Sequence, residues 1–511
     1  MRSQLLSALL LLRLFASVAG NSGTALLAPS LEFHHRFSAP VRRWAEAGGH
    51  PLLGGWPAPG STAFVAALAG HDRHRAMLAG GGPPPLTFAE GNATLKVSNL
   101  GFLHYALVTV GTPGQTFMVA LDTGSDLFWL PCQCEGCTPP ATAASGSVTF
   151  YIPGMSSTSK AVPCSSNFCD SQKECSTTSQ CPYKMVYVSA GTSSSGFLVE
   201  DVLYLSTEEA HPRILKAPIM LGCGETQTGS FLDAAAPNGL FGLGIDEISV
   251  PSILAQRGVA SNSFSMCFGH DGIGRISFGD QGSSDQEETP LDINPQHPTY
   301  AISISRITVG NNPMDLEFST IFDTGTSFTY LADPAYTYIT QSFHAQVQAN
   351  RHVPDSRIPF EYCYDISSSE ARILTPDISL RTVSGSLFPV VDAGQVISIQ
   401  EHEYVYCLAI VKSMKLNIIG QNFMTGLRMV FDRERKILGW KKLNCYDSDR
   451  ANPLSTNSRN SSGISPKSYS PEETSNPDGV TQLRPQNNSS SLTLYCSKLL
   501  MLLLVYGAIM L

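Results

Sequence analysis

Residues 105–125 read YALVTVGTPGQTFMVALDTGS, in which two apolar and β-branched runs, Val108–Val110 and Phe117–Leu121, flank a turn at Gly111–Gly114. This pattern predicts a β-hairpin that leads directly into Asp122. Residues 300–326 repeat the same order of parts: Tyr-Ala, a strand-like run, a glycine turn, a second run and then Asp323-Thr-Gly-Thr. Repetition of one long unit, rather than of many short ones, predicts two similar lobes.

The composition excludes several classes of protein. The chain has 511 residues and a formal net charge of −9, with 42% hydrophobic and 15% charged residues. Disorder throughout needs a lower hydrophobicity and a stronger charge excess. Nucleic-acid binding relies on clustered Lys and Arg, so the acidic balance predicts no nucleic-acid partner. Only short apolar runs occur, at the two ends, which excludes a bundle of membrane-spanning helices and favours a globular protein with two cores.

The two aspartates indicate a chemistry. If the two turns meet at a pseudo-twofold axis, Asp122 and Asp323 lie close enough to share one proton, because like charges at that distance cannot both ionise. The ionised carboxylate can deprotonate a water molecule while the protonated one polarises a carbonyl, which hydrolyses an amide without a metal or cofactor. One Asp-Thr-Gly alone is an ordinary turn sequence, but two copies in matching contexts favour this pair.

The neighbours of the aspartates receive supporting roles. Thr123 and Thr324 are expected to tie the two turns together, and Ser125 and Thr326 to donate hydrogen bonds to the carboxylates. Gly124 and Gly325 have no side chain, so each is expected to let another segment of backbone approach closely.

With these motifs the sequence resembles the pepsin-like aspartic proteases over about residues 95–446. The resemblance implies an all-β, bilobal fold with a catalytic cleft between the lobes, Asp122 and Asp323 as catalytic residues, and protein or peptide substrates. It also implies that Trp129 bonds a flap tyrosine, Tyr187, although the segment after Tyr187 is longer than the usual flap. The alternative for Tyr187 is a strand tyrosine packed on the surface. Two further segments resemble the strands behind each catalytic loop, Leu240–Gly242 and Ile418–Gly420.

The cysteines narrow the resemblance to nepenthesin-type and GPI-anchored plant proteases. Twelve of the 13 cysteines lie between Cys132 and Cys445, and their spacing does not match a metal site. The resemblance implies disulfides, with one member of the cluster Cys132, Cys134 and Cys137 joined to Cys223. Cys137 is included as a disulfide candidate, and the pairing within the cluster stays open. The other implied pairs are Cys164–Cys181 enclosing Cys169–Cys175, Cys363–Cys407 and Cys267–Cys445.

The N-terminal part reads as two segments. Residues 1–20 have a basic start, an apolar run and small residues at the end, which predicts a secretory signal peptide rather than a buried helix. Residues 21–90, here called the N-terminal segment, lack a strand pattern and are rich in His and Arg, with a helix possible at Phe64–Leu68. The resemblance implies an inhibitory propeptide whose arginines are attracted to the carboxylates of the cleft, and the alternative is a disordered leader.

The remaining boundaries place the lobes at residues 91–289 and 290–446, followed by a Ser/Asn/Pro-rich linker at 447–490. Residues 491–511 end in an apolar tail, which predicts a GPI-anchor signal with attachment near Asn488 and a partner in the outer leaflet of the plasma membrane. A single spanning tail, or release to the apoplast, is the alternative. Candidate glycosylation sites are Asn92, Asn460, Asn487 and Asn488.

We therefore expect a secreted, cell-surface aspartic endopeptidase that works at acidic pH. The rival hypothesis is a catalytically silent, pepsin-fold protein that binds or inhibits a partner at the cell surface.

Overall fold

A computed structural model describes residues 29–47, 56–78, 103–136, 150–169, 175, 179–187, 192–207, 213–231, 236–269, 272–294, 299–366, 373–391, 393–400 and 403–442. The predicted signal peptide, linker, anchor signal and all four glycosylation sites lie outside the described residues, as do Cys137 and Cys445. None of the helices in the described ranges has the length and apolar character needed to cross a bilayer.

Strands dominate these ranges. In chain order they are β1 Pro29–His35, β2 His104–Val110, β3 Gln115–Asp122, β4 Trp129–Gly136, β5 Lys160–Ala161, β6 Pro182–Val186, β7 Ser193–Thr207, β8 Ile214–Thr228, β9 Leu240–Gly242, β10 Ser263–Phe268, β11 Ile273–Phe278, β12 Glu287–Pro290, β13 Ala301–Val309, β14 Asn312–Phe322, β15 Thr329–Leu331, β16 Cys363–Ile366, β17 Ile378–Thr382, β18 Leu387–Val390, β19 Gly394–Gln400, β20 Glu403–Leu408, β21 Ile410–Lys412, β22 Ile418–Ile419, β23 Leu427–Asp432 and β24 Ile437–Lys442. The helices are α1 Ala39–Ala47, α2 Thr62–Leu78, α3 Val250–Gln256, α4 Ala335–His344 and α5 Gln421–Met424, and short 3-10 turns cover Pro153–Met155 and Gly229–Phe231.

Three sheets organise the strands into a mostly β, two-lobed fold, as the sequence predicts. The first sheet has the order β12-β24-β23-β10-β11-β1-β2-β3-β9-β4-β8-β7-β5, with β6 paired to β7. The second has the order β18-β17-β13-β14-β22-β15-β21, and the third has β16-β20-β19. The two predicted hairpins are present as β2–β3 and β13–β14, one in each of the larger sheets.

The N-terminal segment contributes a strand, contrary to the sequence-based expectation that it lacks one. β1 inserts between β2 and β11 and pairs antiparallel with both. Leu31 and Phe33 are buried, and the Phe33 ring lies 5.2 Å from the His104 ring and 5.5 Å from that of Phe268. The run PSLEFHH contains no β-branched residue, so its strand comes from pairing with two neighbours rather than from local propensity.

The expected helix of the N-terminal segment is present as α2. Its residues Val65, Leu68 and Ala69 are buried in a core cluster that also contains Phe328 and Tyr330 of the C-terminal lobe. Burial of a Val or Leu side chain is worth about 1.5–3 kcal/mol. The N-terminal segment therefore joins the sheet of one lobe through β1 and the core of the other through α2.

The disulfides agree in part with the pairing that the resemblance implies. Cys363 pairs with Cys407, and Cys132 is the member of its cluster that pairs with Cys223. Cys267 is disulfide-bonded. The nested arrangement expected for the remaining four cysteines is replaced by crossed pairs, Cys164–Cys175 and Cys169–Cys181. All four lie within one short stretch, with Cys169 Sγ also 3.6 Å from Cys175 Sγ.

Candidate active site

The two aspartates occupy equivalent positions in the fold. Asp122 ends β3 and Asp323 directly follows β14. Each strand pairs in parallel with a short strand from later in its lobe, β3 with β9 and β14 with β22. Gly242 ends β9, and a Cβ atom on it would lie 2.0 Å from the carbonyl oxygen of Asp126. Gly420 follows β22, and a Cβ atom on it would lie 2.2 Å from the carbonyl oxygen of Phe328. Only glycine lets these strands pass so close behind the two Asp-Thr-Gly loops.

The two loops meet at their threonines. Thr123 Oγ1 and Thr324 Oγ1 are 3.3 Å apart and buried. In each loop the glycine N–H donates to the aspartate two residues before it, with Gly124 3.0 Å from Asp122 Oδ1 and Gly325 2.9 Å from Asp323 Oδ1. These bonds hold both carboxylates at the point where the lobes join.

The hydroxyl residues of the loops differ from the symmetrical expectation. Thr326 Oγ1 donates to Asp323 Oδ2 at 2.6 Å. Ser125 Oγ is buried and, among the described residues, has no hydrogen-bond partner. The expectation that Ser125 supports Asp122 in the same way is therefore not met. The branched Cβ of threonine restricts its rotamer, whereas a serine hydroxyl can turn away without steric cost.

The flap side of the site is built from aromatic residues. Tyr187 follows β6, in the hairpin with β7, and its OH accepts a hydrogen bond from Trp129 Nε1 at 2.8 Å. The Phe231 ring lies 4.9 Å from the Trp129 ring and 5.1 Å from the Tyr187 ring, edge to face in both pairs. Burial holds the pKa of Tyr187 well above its ordinary value, so the phenol stays protonated.

Behind the first loop lies a charged network that the sequence did not indicate. Asp126 Oδ1 accepts a hydrogen bond from the Asp246 N–H at 2.9 Å, and burial raises the pKa of the Asp126 carboxyl. The Arg433 guanidinium donates to the Ile245 carbonyl at 2.7 Å and to Ser252 Oγ at 2.6 Å. These bonds fix the backbone that follows β9, which runs directly behind Asp122.

The N-terminal segment contacts the second loop. His71 Nε2 donates to the Gly325 carbonyl at 3.0 Å, and the Asp72 carboxylate accepts from the N–H groups of Ser327 and Phe328 at 2.7 and 3.0 Å. Sequence reasoning placed His71 in a basic segment but gave Asp72 no role. The exposed Arg42, which was expected to face the cleft carboxylates, pairs instead with Glu46 of its own helix at 2.8 Å.

Comparison with known proteins shows the family to which the chain belongs. Two family models match, "Xylanase inhibitor N-terminal" over residues 104–280 and "Xylanase inhibitor C-terminal" over residues 299–442. The chain belongs to the pepsin-like plant aspartic protease family.

Particular relatives include "Aspartyl protease family protein 1" of Arabidopsis thaliana, which is 49% identical over 90% of this chain and 89% of its own length. "Aspartic proteinase-like protein 1" of Arabidopsis thaliana is 39% identical over 76% of this chain and 77% of its own length. Among solved structures, conglutin gamma from lupine seeds matches with a TM-score of 0.52 at 21% identity, covering 69% of this chain and 94% of that one, which shows the shared fold.

Proposed function

We propose that this protein is an aspartic endopeptidase that hydrolyses peptide bonds at acidic pH. The observation that carries the proposal is the joining of two Asp-Thr-Gly loops through Thr123 and Thr324, with each aspartate held by the glycine N–H of its own loop. Membership of the aspartic protease family supports the same conclusion.

The proposed reaction uses water as the nucleophile. The ionised carboxylate of the pair, Asp122 or Asp323, takes a proton from the water, whose oxygen forms a bond to the peptide carbonyl carbon. The protonated carboxyl gives its proton to the carbonyl oxygen, which yields a neutral tetrahedral intermediate. The carboxyl that took the water proton then gives it to the amide nitrogen as the C–N bond breaks. A hydroxyl of the intermediate gives its proton to the other carboxylate as the new carboxyl group forms, so the pair again holds one proton. One carboxyl must be protonated and the other ionised, which is why an acidic optimum is proposed.

The substrate is proposed to be an extended peptide held under the flap. Tyr187 is partly exposed and presents a rigid aromatic wall, because the hydrogen bond from the buried Trp129 and the contact with the Phe231 ring fix its orientation. A wall of this kind favours apolar or aromatic substrate side chains next to the cleaved bond.

The processing and the location of the protein are also proposals. Residues 1–20 direct it into the secretory pathway, residues 21–90 act as its own propeptide, and the signal at residues 491–511 is exchanged for a GPI anchor near Asn488. The mature protein is then held at the extracellular face of the plasma membrane. Phosphatidylinositol-specific phospholipase should release it from intact cells, and retention together with recovery of peptides from 499–511 would favour a spanning tail.

A silent binding protein is the second candidate, because both matching family models carry the name of xylanase inhibitors. The presence of both Asp-Thr-Gly motifs argues for catalysis. Cleavage of a denatured protein at acidic pH, blocked by pepstatin, separates the two candidates. If the purified, processed chain cleaves nothing and binds a xylanase or another secreted protein tightly, the binding function replaces the protease.

A further inference from the structure

We propose that Asp126 and Arg433 are positioning residues for Asp122: both bind the chain behind the first Asp-Thr-Gly loop, and together they balance the charge next to it. The inference rests on the proposed function, because it concerns the geometry and the protonation of the same pair of aspartates. Neither residue belongs to that pair, so each acts on the reaction through the loop that carries Asp122.

The backbone that follows β9 lies directly behind the first loop, and its residues 243–246 are here called the back segment. The Leu243 N–H donates to the Asp122 carbonyl at 2.8 Å, and the Gly244 N–H donates to the Ser125 carbonyl at 2.9 Å. Because one of these bonds ends on the backbone of Asp122 itself, a displacement of the back segment displaces the residue that carries the carboxylate.

The Asp126 carboxylate adds a side-chain contact to these backbone bonds. Its Oδ1 accepts a hydrogen bond from the Asp246 N–H at 2.9 Å. It also packs against Gly244, where a Cβ atom would lie 2.2 Å from the same oxygen. Any side chain at this glycine would push the carboxylate away, so the two positions are fitted to each other.

Two buried side chains from the C-terminal part of the chain also hold the back segment. Arg433, which directly follows β23, donates through Nη2 to the Ile245 carbonyl at 2.7 Å. Tyr300, which directly precedes β13, donates through its OH to the Leu243 carbonyl at 2.9 Å. The position of the first loop therefore depends on groups that come from the other half of the sequence.

Two serines at the start of α3 extend the hold of Arg433 to the end of the back segment. The guanidinium donates to Ser252 Oγ at 2.6 Å and to Ser249 Oγ at 3.2 Å. Both hydroxyls donate in turn to the Asp246 carbonyl, at 2.7 and 2.8 Å. Hydrogen bonds from a charged donor are roughly twice as strong as neutral ones, so one buried cation fixes two successive peptide groups.

The second loop is backed by neutral groups from its own lobe. Four residues after Asp323, at the position that corresponds to Asp126, the chain has Ser327. The Asn422 N–H donates to the Ser327 carbonyl at 3.1 Å, and the Asn422 side chain donates to the Ala409 carbonyl at 2.8 Å. Within the two lobes, the carboxylate and the guanidinium behind the first loop therefore distinguish it from the second.

The titratable groups that face Asp126 come from several elements. They are Asp122 in the same loop, Asp246, Arg433, Tyr300 and Tyr187. Burial raises the pKa of the Asp126 carboxyl, and the charge of Arg433 acts to lower it. Burial also raises the pKa of both tyrosines, so they stay neutral in acid. Asp246 is exposed and screened by water, so the buried charges that oppose each other here are those of Asp126 and Arg433.

The sign of the expected pH effect follows from these two charges. Catalysis requires that Asp122 and Asp323 share one proton, and activity on the basic limb of the pH profile is lost when that proton leaves. Asp126→Asn removes a negative charge, so the proton leaves at a lower pH and the basic limb moves down. Arg433→Met removes a positive charge, so the basic limb moves up. In the double variant the two changes oppose each other.

The pH dependence of kcat/KM tests the charge balance. The parent, both single variants and the double variant are expressed as the full-length chain, processed, and assayed per site titrated with pepstatin. The basic limb should move by roughly half a pH unit or more in opposite directions in the single variants, and should return close to that of the parent in the double variant. Arg257→Met is the matched control, since it removes a cation from an exposed pair with Glu200 just after α3, and should leave the limb in place.

The turnover number tests the positioning role. Arg433→Met should lower kcat per titrated site roughly tenfold to a hundredfold, with KM changed less than about threefold, because a small displacement of a catalytic group is costly. Arg433→Lys keeps the charge but not the planar set of donors, so it should keep the basic limb of the parent and recover only part of kcat. It also serves if the methionine variant does not fold. An unchanged kcat in both variants, or basic limbs that do not move in Asp126→Asn and Arg433→Met, overturns the proposal.

Amide hydrogen exchange gives a readout that needs no turnover. It uses the full-length chain in an Asp323→Asn background, which leaves the first loop unchanged. Arg433→Met should lower the protection of the back segment roughly tenfold or more, Arg433→Lys by less, and Arg257→Met not at all. Equal protection in all of them overturns the positioning role. A correctly folded parent that cleaves nothing contradicts the proposed function instead, and the exchange result still decides whether Arg433 holds the back segment.

Discussion

Thr123 Oγ1 and Thr324 Oγ1 lie 3.3 Å apart in the buried centre of the molecule, although 201 residues separate them in the chain. Each threonine follows an aspartate at the end of a strand, so this one contact fixes the distance between the two loops. A hydroxyl that pairs with its counterpart also avoids the cost of an unpaired buried polar group. The two similar lobes therefore place both carboxylates beside the contact between the loops.

The unequal hydroxyl residues of the loops give a first prediction. Thr326→Val should lower kcat by roughly tenfold to a hundredfold, because Asp323 loses a short hydrogen bond from Thr326 Oγ1. Thr326→Ser should restore most of the rate. Ser125→Ala should change kcat less than about threefold, because no partner is lost. Peptidase assays at saturating substrate measure these changes in kcat. An equal loss of kcat in Ser125→Ala and Thr326→Val would show that the two loops act symmetrically.

The hydrogen bond between Tyr187 and Trp129 gives a second prediction. Tyr187→Phe leaves the buried Trp129 Nε1 without its acceptor and should lower kcat/KM by about tenfold, together with a fall of roughly a few degrees in melting temperature. Tyr183→Phe is the matched control, since its OH pairs with Ser194 Oγ at 2.9 Å in the same hairpin. If the two variants lose activity equally, Tyr187 has only a structural role.

Stability in acid gives a third prediction. Asp280 accepts hydrogen bonds from the Arg428 side chain and, at 2.9 Å, from the Gly282 N–H. Burial acts to raise the pKa of Asp280, but the Arg428 bonds prevail and hold it below the ordinary value. A lowered carboxyl pKa gives stability above the unfolded pKa near 4, and this stability is lost as the pH falls through the folded pKa.

Asp280→Asn should therefore reduce the free energy of unfolding by about 1–3 kcal/mol at pH 6 and by much less at pH 3. Asp285→Asn, which breaks an exposed pair with Lys441, is the control and should have little effect at either pH. Denaturant unfolding at the two pH values measures the difference. An Asp280→Asn loss that is the same at both values would contradict the assignment.

The cysteine pairs give a fourth prediction. Non-reducing digestion and mass spectrometry should recover Cys164 linked to Cys175 and Cys169 linked to Cys181. Digestion must cut between Cys164 and Cys169 and again between Cys175 and Cys181, because only the nested pairing then releases the middle fragment from the other two. Recovery of Cys164 with Cys181 would show that the resemblance gave the correct connectivity.

The sequence predicted the features that repeat. Both hairpins could be recognised because each has strand-like runs on both sides of a glycine turn, and their duplication pointed to Asp122 and Asp323. The short strands β9 and β22 could be placed because a glycine ends or follows each of them. These are local patterns, and the tertiary structure uses each of them in the same way in both lobes.

The features that depend on distant contacts could not be predicted. Asp72 meets Ser327 from 255 residues away, and an Asp in a segment rich in His and Arg gives no sign of a buried anchor. β1 takes its strand conformation from two neighbours and not from its own residues. Ser125 matches Thr326 in the motif, but the rotamer that decides its hydrogen bond depends on packing.

The central claim is that Asp122 and Asp323 form one catalytic unit. Its most direct test compares cleavage of a denatured protein at acidic pH by the processed chain, by Asp122→Asn and by Asp323→Asn, each with and without pepstatin. The account predicts pepstatin-sensitive cleavage by the parent, and a loss of at least about a thousandfold in each single variant, with circular dichroism unchanged. Substantial turnover in either variant, or none in a correctly folded parent, would contradict it.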